Sequence, residues 1–92
     1  GLQAIKKVQF IRCDNLHDFG LEYMANAVGT HLETLEIDGC RRITEFGLAH
    51  LEKCSGLKSL LLSNLKAVYR KDKVLERLKS ALPNTDIRHP SF

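Results

Sequence analysis

An α/β solenoid of about three repeats plus a terminal strand, with parallel strands on one side and outer helices on the other, is the fold class this sequence predicts. Three observations carry it. First, the apolar positions recur: sliding the chain by 27 residues carries Ile5, Val8, Phe10, Cys13, Leu16, Gly20, Leu21 and Met24 onto Leu32, Leu35, Ile37, Cys40, Ile43, Gly47, Leu48 and Leu51. A further slide of 25 carries Leu32, Leu35, Ile37, Cys40 and Ile43 onto Leu57, Leu60, Leu62, Leu65 and Val68, and a last one of 25 reaches Leu82, Thr85 and Ile87. Second, each unit opens with a short alternating run, the signature of a strand with one buried face. Third, each run is followed by a turn and then by residues with helical spacing.

In order along the chain, strands are expected at residues 8–11, 35–38, 60–63 and 85–88. In the first three, the first and third residues face the core and Gln9, Glu36 and Leu61 face the other side. The first helix is expected over residues 19–28, with Asp18 as its cap. The second is expected over residues 46–53, with Thr44 as N-cap and Glu45 in its first turn. Gly20 and Gly47 are unfavourable so early in a helix unless close packing against a neighbouring turn requires them. The third helix is the longest; it places Val74, Leu75, Leu78, Ala81 and Leu82 on one face and stops at Pro83. The tail, His89 to Phe92, is expected to fray or to fold over the last strand. Chirality favours right-handed strand–helix–strand crossovers.

A period of 25–27 residues lies in the range of leucine-rich repeats, and stacked repeats of this kind are binding surfaces more often than catalysts. Equivalent side chains of adjacent strands then form ladders: Gln9, Glu36, Leu61 and Asp86, beside Ile11, Asp38, Ser63 and Arg88. These eight positions are the candidate partner-binding face. It combines acidic Glu36, Asp38 and Asp86 with apolar Ile11 and Leu61, which would otherwise sit in water.

Bulk properties exclude other classes. The 92 residues carry a net charge of only +3, too little for a dedicated nucleic-acid binder, and no apolar run is long enough to span a membrane. Basic residues are nonetheless concentrated: Lys66, Arg70, Lys71, Lys73, Arg77 and Lys79 oppose only Asp72 and Glu76. That segment is a candidate contact with anionic lipid or another acidic surface. Cys13, Cys40 and Cys54 are odd in number and are expected reduced, buried and metal-free, with the first two at equivalent strand-to-helix turns. His50, Cys54 and Cys40 lack the CxxC or HxxxH spacing of a zinc site. No phosphate loop, catalytic constellation or cofactor motif is present. The first repeat begins at once, near Ile5, with no capping element before it. The expectation is therefore a C-terminal domain over residues 1–92 of a longer protein, marginally stable alone because the Ile5, Val8 and Phe10 edge lies open.

The segments Cys13-Asp14-Asn15-Leu16-His17-Asp18-Phe19-Gly20-Leu21 and Cys40-Arg41-Arg42-Ile43-Thr44-Glu45-Phe46-Gly47-Leu48 resemble the cysteine-containing leucine-rich repeat common in F-box substrate receptors. Gly1-Leu2-Gln3 with Lys7-Val8, residues 43–48, the run from Leu57 to Leu65 and the ending from Lys73 to Pro83 together resemble the mitochondrial ATP synthase subunit s (coupling factor B) family. That family has relatives among distal-arm assembly proteins of complex I. The resemblance covers nearly the whole chain. It implies a non-enzymatic coupling or assembly factor without cofactor, on the matrix side of the mitochondrial inner membrane. Its protein partner would be a subunit of ATP synthase or a complex I assembly intermediate, with no nucleic acid involved. The competing reading is an F-box-type adaptor for ubiquitin transfer.

Overall fold

The structure, a computed structural model, describes residues 5–92. Four strands, β1 (Lys7–Ile11), β2 (Thr34–Asp38), β3 (Ser59–Ser63) and β4 (Asp86–Arg88), alternate with three helices, α1 (Asp18–Val28), α2 (Glu45–Ala49) and α3 (Lys71–Ala81). They form one parallel sheet in chain order, β1-β2-β3-β4. The pairs Val8↔Leu35 and Phe10↔Ile37, then Leu35↔Leu60 and Ile37↔Leu62, follow the register read from the apolar slides. No helix among the described residues is long and apolar enough to cross a membrane.

Burial explains why this register forms. Leu35, Ile37, Leu60 and Leu62 are fully buried, with Leu21, Leu32, Ile43, Leu48, Leu51, Leu65 and Leu78 closing over them from the turns and helices. A two-residue slip of any strand would leave the apolar face correct but the layers misaligned, and such a slip separates expectation from structure at the last strand. Leu60 pairs with Ile87 and Leu61 with Arg88, so the third step is 27 residues rather than 25. Thr85 is not in β4. Its hydroxyl donates to the Leu57 carbonyl at 2.7 Å just before the strand begins. Side-chain direction repeats every two residues, so alternation alone cannot distinguish these registers. Leu61 therefore aligns with Arg88, and Asp86 sits opposite Ser59.

The second helix is shorter than expected: α2 has five residues and passes into a 3₁₀ turn, His50–Lys53. Thr44 caps it as its residue type requires, its Oγ1 accepting from the Phe46 N–H at 3.2 Å. Asp18 does not cap α1. The N-cap there is His17, without a side-chain cap, and Asp18 instead reaches the next unit, accepting from the Thr44 N–H at 2.8 Å and from the Thr44 hydroxyl. This contact also explains Gly47. A Cβ there would stand 2.8 Å from the Asp18 carboxyl carbon and 3.1 Å from its Cα, so only glycine lets α2 settle against the start of α1.

Such links between units recur. Gln9 donates to Glu36, Arg41 to Asp14, Lys53 to Asn26, Ser63 to Asp38 and Arg77 to Glu52, across 25 to 27 residues of sequence. The tail folds back rather than fraying. The Ser91 carbonyl accepts from the Asn64 N–H at 3.0 Å, and Phe92 packs on the core beneath the Lys71 ammonium, 5.7 Å from its ring centre. On α3, Leu78 is buried, Val74 and Leu75 are half-buried and Ala81 is exposed, so the apolar face is narrower than its sequence suggests.

Candidate interaction surfaces

The strand face is partly self-satisfied. On the ladder Gln9–Glu36–Leu61–Arg88, the Gln9 amide donates to the Glu36 carboxylate at 3.0 Å, and Glu36 and Leu61 are half-buried. Arg88 donates to the Asp86 carboxylate two residues back at 3.0 Å. The neighbouring ladder is Ile11–Asp38–Ser63. Ile11 stands 45 % exposed. Ser63, expected on the open face, is buried, and its hydroxyl donates to Asp38 Oδ1 at 2.6 Å; Asn64 Nδ2 donates to the same oxygen at 2.9 Å. These two hydrogen bonds hold the Asp38 carboxyl below the usual carboxylate range. Asp38 is therefore a structural clip between β2 and β3 as well as a face residue.

The expected basic patch divides in the structure. Arg77 pairs with Glu52 at 3.3 Å, Lys73 with Glu76 at 3.8 Å, and Lys71 covers Phe92. Arg70 sits before α3 in a left-handed conformation, and Lys79 is exposed in the last turn. Lys66 lies on no helix. It shares the ends of the strands with Arg12 and Arg41.

All three cysteines are free thiols. Cys40 and Cys54 are buried, and desolvation pushes both thiols up from their ordinary range. Cys40 Sγ lies 3.5 Å from the Phe10 carbonyl and 3.6 Å from that of Asp38, between β1 and β2. Cys13 departs from expectation: it is only half-buried. Among the described residues, no unit stacks on its turn to cover it as β1 and its turn cover Cys40. Among the described residues, no group of His, Cys, Asp and Glu side chains is arranged to hold a metal ion.

A further surface was not legible from residue types. Phe19, Tyr23, Phe46 and Tyr69 are 72–79 % exposed. Phe19 and Phe46, one unit apart, line a shared groove with His17, Glu22, Arg42 and His50. The Tyr69 N–H donates to the Glu45 carboxylate at 3.2 Å, which sets Tyr69 beside the same end of α2. The only available signal was position: the second residue of each of the first two helices is Phe, directly before the glycine that packs inward.

No protein-family model matches the sequence. Among curated proteins it is similar to "ATP synthase subunit s, mitochondrial" of Homo sapiens, 33% identical over 91 residues, with 96% of this chain and 45% of that protein covered. The Bos taurus and Mus musculus proteins of the same name are 29% and 27% identical over 90 residues, with the same shares covered. The chain is a homologue of mitochondrial ATP synthase subunit s. It spans about half the length of the curated relatives it matches. The similarity to subunit s runs through all four strands and three helices, so the surfaces above lie within the aligned part.

Proposed function

We propose that this chain is the repeat-bearing part of a non-enzymatic accessory factor of mitochondrial ATP synthase, acting on the matrix side of the inner membrane. In this reading its strand–helix units are cysteine-containing leucine-rich repeats, preceded in the full protein by a further domain. The observation that carries the reading is the similarity to subunit s over 96% of the chain. The parallel ladders supply the mode of binding, because a stacked array offers one broad, rigid face to a protein partner.

The partner, a subunit of ATP synthase, seats on the strand face about Glu36, Leu61 and Arg88, with Ile11 and Gln9 at its margin. A second candidate contact is favoured by a specific observation, the exposure of Phe19, Phe46 and Tyr69, since exposed aromatic side chains are typical interface anchors. Lys79 and Arg70 lie within reach of the anionic membrane surface beside such a complex.

The test is capture from mitochondrial extract with wild type and two double variants. Glu36→Lys with Arg88→Glu reverses the strand face, and Phe46→Ser with Tyr69→Ser strips the aromatic row. Asp38 is left intact, because replacing it would unclip β3 and confound binding with folding. Loss of ATP synthase subunits from the first variant alone places the partner on the strands; loss from the second alone places it on the aromatic row. Recovery of complex I assembly intermediates would move the assignment to that complex, and recovery of a ubiquitin-ligase scaffold would replace the reading with an adaptor.

A further inference from the structure

A cleft of about 380 Å³ opens where β1, β2 and β3 turn toward their helices, lined by Arg12, Asp14, Asp38, Arg41, Asn64 and Lys66 together with Gly39. Three residues at equivalent steps make these turns in the left-handed region: Arg12 (φ 52), Gly39 (φ 68) and Asn64 (φ 52). Glycine and asparagine adopt that region at least cost, whereas arginine carries a Cβ and no short side chain to compensate. The backbone gives no reason for an arginine there, so the position supplies a side chain.

The room for that side chain is built in. A Cβ on Gly39 would stand 3.1 Å from Arg12 Cγ, so the bare Cα of the second unit lets the arginine stem lie across it. At the three left-handed positions the backbone N–H groups are already used: that of Arg12 donates to the Asp38 carbonyl at 2.6 Å, that of Gly39 to the Ser63 carbonyl at 3.1 Å and that of Asn64 to the Ser91 carbonyl at 3.0 Å.

The charges are unevenly matched. Asp14 is taken by Arg41 at 3.3 Å, and Asp38 by the Ser63 hydroxyl and the Asn64 amide. Arg12 and Lys66 make no close ion pair among the described residues, although the Asp38 carboxylate keeps its charge and Arg12 lies near enough to favour it. Three cations, one from each unit, therefore line a recess at the C-terminal ends of parallel strands, the end at which open α/β sheets receive ligands. A carboxylate offers two oxygens and one charge. A phosphate disposes its acceptor oxygens about a tetrahedral centre, two with one charge in a diester and three with up to two charges in a monoester, so it can meet cations from several directions and matches both the fork of arginine and the point charge of lysine.

We infer that this cleft is a phosphate-binding site, with Arg12 and Lys66 as its free cationic arms and Arg41, steadied by Asp14, as the third. The phosphate comes either from a phospholipid headgroup or from a soluble molecule. The inference is independent of which surface holds a protein partner.

The experiment titrates the chain with pyrophosphate at low salt, and separately with vesicles of phosphatidylglycerol in phosphatidylcholine and of phosphatidylcholine alone. Arg12→Asn keeps a residue suited to the left-handed turn, as Asn64 is; Lys66→Gln removes the other arm; Lys53→Gln, exposed in the 3₁₀ turn after α2 and outside the cleft, is the control. Each of the first two should weaken binding by about tenfold, and the control should leave it unchanged. Arg12→Asn should also hold or raise the melting temperature, so that binding and stability move apart. Saturation by pyrophosphate with this pattern assigns a soluble phosphate. The same pattern with phosphatidylglycerol vesicles and no response to pyrophosphate assigns a headgroup. The proposal is overturned by saturable binding to neither, by equal loss in Lys53→Gln, or by a fall in melting temperature that accompanies the loss in Arg12→Asn.

Discussion

The first and second units share one sequence pattern and differ in what it becomes. β1 and β2 are five residues each, both alternate, and both are followed by a cysteine, a turn and a helix with glycine in its first turn. Yet Val8, Phe10 and Cys13 are half-exposed where Leu35, Ile37 and Cys40 are fully buried. The difference is neighbours. β2 has β1 on one side and β3 on the other, while among the described residues β1 pairs with β2 alone. In a stacked sheet, burial at a given position comes from the units that flank it, and the same residue type carries different energetic weight in each.

The largest expected effect tests that statement at the cysteines. Cys40→Asp places a carboxylate in a fully buried site that faces the Phe10 and Asp38 carbonyls, with the Cys13 backbone as its compensating donor, and should cost about 3–5 kcal/mol. Cys13→Asp, half in water, should cost under about 1 kcal/mol, both read from urea denaturation. Equal costs would break the comparison. At the strands, Ile37→Ala should cost about 2–5 kcal/mol, the range for a fully buried aliphatic residue. Phe10→Ala removes a larger side chain but should cost only about 1–2 kcal/mol, since part of its surface is already wet.

The glycines sharpen the comparison. Gly47→Ala drives a methyl into the Asp18 carboxyl and disturbs its bonds to Thr44, for an expected loss of about 1–3 kcal/mol. Gly20→Ala meets only Leu16 Cδ1, the flexible end of a side chain. The gain from replacing a helical glycine offsets the adjustment, and the net should lie near zero by thermal melt.

Acid offers a smaller probe. Asp38, the second unit's counterpart of Ile11, and Glu33, which accepts from Lys6 and Lys58, both have carboxyls held below their ordinary range. A depressed folded-state value means the stabilisation is present above the unfolded value, near pH 4, and is lost as pH falls through the lower folded one. Stability should therefore decline progressively below about pH 5, and Asp38→Asn should flatten that decline in denaturation curves taken across pH. The smallest effect belongs to the helix edge: Phe46→Ser should change stability by no more than about 0.5 kcal/mol, whatever it does to binding.

The sequence made the register of β1, β2 and β3 readable because buried aliphatic residues recur at fixed steps and nothing else accounts for Leu35, Ile37, Leu60 and Leu62. The β4 register was not readable, because a slip from Thr85 to Ile87 preserves which face each residue takes. Thr44 declared itself as a cap by residue type. Asp18 looked equally suited to capping, and only the stacked neighbour shows why its carboxylate turns to Thr44 instead. Of the strand-face residues, Gln9 and Glu36 fall opposite one another as the repeat spacing expects, whereas Arg88, expected on the Ile11 ladder, aligns with Leu61. The burial of Ser63 was not legible, since it depends on a hydrogen bond to Asp38 in another unit. Lys66 was grouped with the α3 cations by proximity in sequence, whereas the fold puts it with Arg12 and Arg41.

The hydrogen bonds that join successive units bear on how the chain folds. Each closes a loop of 24 to 28 residues, from Glu45–Tyr69 to Leu57–Thr85. Loop closure depends on the logarithm of length, so these closures differ by only about 0.1 kcal/mol in entropic cost. Chain entropy thus gives no unit a head start. Side-chain packing is then expected to set the order of assembly: it is most complete between β2 and β3, from which ordering should spread outward to β1 and β4. Lesions at the Leu35–Leu60 and Ile37–Leu62 pairs should slow refolding, and lesions at Phe10 should act chiefly by hastening unfolding.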